Sequence, residues 1–82
     1  MTRSAADLAV GQIGRVTRVT GTDEIGRRLL EMGVTPGIEI LRLGAAPLGD
    51  PLEFELRGYR LSLRKTEAAH VEVDPTSVAS QN

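Results

Sequence analysis

The sequence predicts a mainly β domain: a small, strongly bent antiparallel barrel of about five short strands, with one short helix inserted after the first. Three observations carry this expectation. Short apolar or alternating segments recur along the chain between glycine-containing turns. The two segments PLEFEL and YRLSLR, separated by Arg57 and Gly58, read as a hairpin. Between the first strand and the rest, RRLLEMGVTPG (27–37) writes an amphipathic helix, its stop signal and a tight turn in consecutive residues.

The elements follow in order. IGRVTRVTG (13–21) is β-branched and bounded by glycine, and the spacing of Val16 and Val19 predicts a bend or bulge rather than clean alternation. Thr22 or Asp23 caps the helix. Its inward stripe is Ile25, Leu29 and Met32, while Arg27, Arg28 and Glu31 face water. Gly33 fits the left-handed position after the last turn, with Val34 packing back on Leu29. Pro36 and Gly37 occupy the centre of a type II turn, because proline presets φ and glycine accepts a positive one.

IEILRLG (38–44) carries apolar residues on both faces at Ile40 and Leu41, which places it centrally in the sheet. In the hairpin, Leu52, Phe54 and Leu56 point inward, as do Tyr59, Leu61 and Leu63. Gly58 takes the positive-φ position of a bulged turn, since Arg57 would resist it. Val71 and Val73 give a short closing strand. This order fits an SH3-like barrel; a flat five-stranded sheet with a packed helix is the alternative, because spacing does not show closure. Residues 1–6 and 75–82 carry no apolar period and are expected to be flexible ends of a domain spanning residues 7–74.

At 82 residues the chain is one domain, near the size at which a single core supplies little stability to spare. It has no cysteine, which removes disulfides, thiolate metal sites and thiol nucleophiles. No apolar run is long enough to span a bilayer and the N-terminus lacks the pattern of a signal peptide, so a soluble, cytoplasmic protein is expected. The net charge is −1 and the signs are mixed along the chain, so nucleic acid is not an expected partner. Phe54 and Tyr59 are the only aromatic residues, too few for stacking on bases or lining a proline-peptide groove.

Four segments together give a resemblance. They are L-x-x-G at Leu8 to Gly11, RRLLEMGVTPG at 27–37, APLGDPLEFELRG at 46–58 and LSLRKTEAAHVEV at 61–73. In this order and spacing the chain resembles the ferrous iron transport protein A (FeoA) family over about residues 8–74, nearly the whole expected domain. The resemblance implies an SH3-like domain. It also implies a small cytoplasmic accessory of a polytopic ferrous iron transporter that carries a GTP-hydrolysing cytosolic domain. Similar domains end iron-dependent transcriptional repressors, but this chain shows no upstream DNA-binding or dimerisation segment, so the freestanding form is expected.

Candidate binding residues lie in two places. In the loop AAPLGDP (45–51), Pro47 fixes one φ, Gly49 allows the bend and Pro51 holds Asp50 extended, so Leu48 is either displayed for a partner or tucked against the barrel. On the helix, Leu30 lies about 100° from Leu29, at the edge of the apolar stripe. If Leu30 and Leu48 serve one docking surface, they should lie together. Arg27 and Arg28 are expected to pair with Asp23, Glu24 or Glu31 rather than to act in catalysis.

No metal site and no cofactor are expected. His70 is the only histidine; Glu72 shares its strand face, and Asp50, Glu53 and Glu55 cluster elsewhere in sequence, so His70 reads as an ordinary strand residue. Ser4, Ser62, Ser77 and Ser80 have no histidine at suggestive spacing and no phosphate-binding motif is present, so enzyme activity is not expected. Arg57, Arg60, Arg64 and Lys65 read as a solvated face diluted by Glu53, Glu55 and Glu67.

The leading expectation is therefore a binding module that docks on the cytosolic side of a GTP-dependent ferrous iron transporter and modulates its assembly or turnover. A metal-responsive module acting with a transcriptional regulator and a small nucleic-acid-binding barrel are the alternatives. Unpaired sheet edges also leave self-association open.

Overall fold

The computed structural model describes residues 3–78. Its elements are β1 (Arg3–Ser4), a 3-10 turn (Ala5–Asp7), β2 (Gln12–Val19), α1 (Asp23–Glu31), β3 (Glu39–Ala45), β4 (Leu52–Leu56), β5 (Tyr59–Leu63), α2 (Lys65–Ala68) and β6 (Val71–Val78). The strands form one six-stranded sheet in the order β1-β6-β2-β3-β4-β5, every pairing antiparallel.

Register shifts bend this sheet. One falls between Val16 and Arg18 of β2 against β6, where the valine spacing predicts it, and another between Arg42 and Gly44 of β3 against β4. An extra residue on one strand raises the local twist and curls the ladder. A single core results, drawing Val16 from β2, Ile40 from β3, Phe54 from β4, Leu63 from β5, Val71 from β6 and Leu29 from α1. Side chains from β2 through β6 meeting in one cluster describe a sheet wrapped round its core, the SH3-like barrel rather than the flat alternative.

The helix and its stop form as the sequence predicts. The Thr22 hydroxyl caps α1 by accepting the Ile25 amide at 3.3 Å. At the other end the Gly33 amide donates to the Leu30 carbonyl and the Val34 amide to the Leu29 carbonyl, both at 3.0 Å, with Gly33 at φ +92°. That is the Schellman pattern, and its accompanying apolar contact is the buried pair Leu29 and Val34. Gly37 follows at φ +98°, with the Ile38 amide reaching the Thr35 carbonyl at 3.3 Å across the turn.

Several expectations are corrected. The sheet has six strands rather than about five, because the chain ends take part in it. Arg3–Ser4 pairs with Val73 and Glu72, Ala5 is fully buried, and β6 runs on to Val78, so residues 3–6 and 75–78 belong to the domain. Pro75 is accommodated opposite Gly14 beside the register shift between Ile13 and Gly14, where an interrupted ladder asks for no regular amide donor. Residues 1–2 and 79–82 lie outside the described residues. A second short helix, α2, fills the link between β5 and β6 and buries Ala68.

Tyr59 does not join the core. It is exposed, and its hydroxyl donates to the carbonyl of Met32, fastening the hairpin to the end of α1. Leu61 is half-buried and Leu63 fully buried, so the alternation holds from the next inward position onward.

The hairpin turn also differs. Leu56 and Tyr59 are paired directly, and both central residues have positive φ, +53° at Arg57 and +84° at Gly58. This is a two-residue type I′ turn without a bulge, whose twist matches that of the flanking strands and outweighs the reluctance of arginine to enter the left-handed region. Arg57→Asn should therefore stabilise the protein by about 0.5–1 kcal/mol, because asparagine tolerates that region. The exposed bond from Arg57 Nη2 to Thr35 Oγ1, at 3.4 Å, is a minor loss. A raised urea midpoint would bear this out; a lowered one would mean that the Thr35 contact outweighs the backbone strain.

Candidate functional site

The loop between β3 and β4 is closed by its own hydrogen bonds. The Gly49 amide donates to the Ala46 carbonyl at 2.7 Å, closing a four-residue turn with Pro47 and Leu48 at its centre. Proline in the second place and glycine in the fourth match a type I turn. The neck is drawn together where the Ala46 amide meets the Pro51 carbonyl at 2.9 Å, directly above the Ala45–Leu52 pair. Leu48 at the tip is 97% exposed and is not tucked against the barrel.

Asp50 has a different position from the rest of the loop. Its Oδ1 accepts the Lys65 amide at 3.0 Å, capping α2 from outside. This ties the loop to α2 and gives Asp50 a structural duty. Beside it, the Lys65 ammonium lies within 3.8 Å of where a Cβ on Gly49 would stand.

Leu30 is 48% exposed but on another flank. It lines a shallow groove with Val19, Thr22, Gly26 and Arg27. The groove that joins α1 to the loop is lined instead by Ile25, Arg28, Pro51 and Glu67, and Arg28 Nη1 pairs with Glu67 Oε2 at 3.3 Å. Arg28 and Leu30 are two residues apart on the helix, about 200° of rotation. The structure therefore does not gather Leu30 and Leu48 into one groove, and the helical arginine finds its carboxylate on α2 rather than on α1.

His70 precedes β6 rather than lying within it. Its carbonyl accepts the Thr20 amide at 2.7 Å, and its Nδ1 lies 3.4 Å from Thr20 Oγ1. These contacts close the β2 end of the barrel. Among the described residues no group of three or more His, Cys, Asp or Glu could hold a metal ion.

Sequence reasoning missed Arg42 and α2. Arg42 Nη1 donates to the Leu8 carbonyl at 2.9 Å and Nε to the Gly44 carbonyl at 2.9 Å, while its own carbonyl takes the Gly11 amide at 2.7 Å. The first motif, Leu8 to Gly11, is thus a docking segment for β3. A lone cation inside the apolar run IEILRLG was the available signal.

Comparison with known proteins agrees with this geometry. The FeoA domain model matches residues 4–75. A Porphyromonas gingivalis protein described as an Fe(2+) transport protein A/Fe(2+) transporter FeoB fusion protein is 36% identical over 69 residues, covering 84% of this chain. The present chain spans 8% of that relative's length. The FeoA-like protein of Clostridium acetobutylicum superposes with TM-score 0.83 at 34% identity, covering 90% of this chain and 86% of that one. The FeoA of Stenotrophomonas maltophilia, solved with zinc and described as a procaryotic SH3 domain protein and candidate ferrous iron transport activating factor, superposes with TM-score 0.75 at 33% identity, covering 90% and 89%. The chain belongs to the FeoA family.

Proposed function

We propose that this chain is an accessory of ferrous iron uptake, without enzyme activity of its own, that docks on the cytosolic side of a GTP-dependent Fe²⁺ transporter of the FeoB kind and modulates its assembly or turnover. The observation that carries the reading is the relative in which a matching domain and FeoB are one polypeptide. Covalent linkage holds two modules at high effective concentration, which is useful when the work of one is done on the other. No helix among the described residues is long and apolar enough to cross a membrane, so attachment through the transporter suits the fold.

In this reading the contact is the tip formed by Pro47, Leu48 and Gly49, with Leu30 as a separate contact on the far flank of α1. Asp50 acts by holding the loop in place. A tip fixed by its own hydrogen bonds loses little conformational freedom on docking, and burying a leucine that is almost wholly exposed returns about 2 kcal/mol.

The test is co-purification of tagged chain with the cognate transporter in mild detergent. The parent should retain the transporter, whereas Leu48→Asp should lose it at least about tenfold, since a carboxylate would be desolvated in the interface. Circular dichroism should show an unchanged melt for the variant. A parent that never retains the transporter overturns the function; a folded Leu48→Asp that retains it like the parent overturns the contact.

A further inference from the structure

We infer that the surface receiving Leu48 is an apolar socket on a protein, rimmed by carboxylates that face Lys65 and Arg64. The inference rests on the docking role just proposed and names the chemistry of the partner.

The loop and α2 form one unit, because Asp50 Oδ1 takes the Lys65 amide at 3.0 Å. That bond orients the first turn of α2 so that the Lys65 ammonium stands beside Gly49, one residue from the exposed leucine. Arg64 and Lys65 are both exposed. The ion pairs among the described residues are Arg15 with Glu39 and Arg28 with Glu67, so neither Arg64 nor Lys65 has a carboxylate partner among them.

Both nearby acids hold backbone amides, and Glu67 is also in an ion pair. Glu67 is paired with Arg28 and also accepts the Arg64 amide at 2.9 Å, and Asp50 accepts the Lys65 amide. The chain as a whole carries −1, yet this end presents an apolar knob with the Lys65 ammonium beside it and a second exposed cation, Arg64, next to it in sequence. A single protruding leucine gains most when it enters a fitted pocket, and flanking cations favour carboxylates around the rim. A lipid surface is a poorer fit, since one leucine and two cations supply only marginal membrane affinity.

The experiment measures binding of the full chain to the purified cognate transporter, immobilised in detergent, between about 50 mM and 500 mM salt. The parent should weaken several-fold as salt rises. Lys65→Glu should weaken binding at least about tenfold at low salt and flatten the salt dependence, while Lys65→Arg should stay within about threefold of the parent. Thermal melts should leave both variants folded, because the side chain at 65 is exposed and the bond to Asp50 is made by the backbone amide.

Parent binding with no response to salt or to Lys65→Glu overturns the carboxylate rim while leaving the docking role standing. No binding by the parent overturns the docking role and the rim with it. Equal binding to protein-free vesicles rich in anionic lipid would replace the protein socket with a membrane surface.

Discussion

Gly33→Val is expected to lower the unfolding free energy by about 2–3 kcal/mol, the sum of backbone strain and a lost tyrosine contact. Gly33 sits at φ +92°, and a side chain there is strained, most of all one branched at Cβ. A Cβ would also stand 2.5 Å from Tyr59 Oη, the hydroxyl that donates to the Met32 carbonyl. The side chain cannot be added without pushing that hydroxyl away and leaving a helix-end carbonyl unpaired. Urea unfolding measures the total, and a Tyr59→Phe background separates its parts. With the hydroxyl gone, the same substitution should cost less, leaving mainly the backbone strain. An equal cost in both backgrounds would show that the tyrosine contributes nothing at this helix end.

The pairing of Gly33 with Tyr59 illustrates what the sequence revealed and what it withheld. A glycine after an amphipathic stripe is a local signal, so the helix, its stop and the following turn could all be read from residues a few places apart. The same is true of Leu52, Phe54 and Leu56, which alternate as a strand must and are all buried. Tyr59 continues that alternation in sequence yet leaves the core, because its position beside α1 is set by the closure of the barrel rather than by strand period. Long-range partnerships of this kind have no local signature. Arg42 reaching Leu8, Asp50 capping α2 and Arg28 meeting Glu67 each join residues that only the fold brings together. The chain ends were misjudged for a related reason: small and polar residues such as Arg3 and Ser4 pair through their backbone, which composition does not report.

The candidate site divides along the same line. The turn in the loop was legible, since Pro47, Gly49 and Pro51 each restrict or permit a particular backbone angle. Whether Leu48 turned outward was not, because an apolar side chain on a loop can as readily cover a neighbouring strand. Its exposure accompanies the hydrogen bonds at the neck, which set the direction of the turn.

Phe54→Ala should cost about 3–5 kcal/mol, against a total stability of about 4–12 kcal/mol for a domain of this size. Phe54 is fully buried at the centre of β4, a strand paired on both sides, with Arg42 of β3 and Leu61 of β5 as its neighbours. Its ring is the largest fully buried side chain in the core. The variant should unfold at far lower urea than the parent, whereas Phe54→Leu should lose only about 1–2 kcal/mol because most of the volume is kept. On the docking role proposed above, the functional consequence differs in kind from that of Leu48→Asp. Leu52, which pairs with Ala45 to brace the loop, lies on the same strand, so losing β4 removes the display as well as the core. Transporter retention by Phe54→Ala should fall in step with the folded fraction and recover on cooling or on addition of a stabilising osmolyte, as a binding residue's loss would not. Full retention by an unfolded variant would show that the loop sequence binds without the barrel, and the fold would then be a carrier rather than the device that aims Leu48.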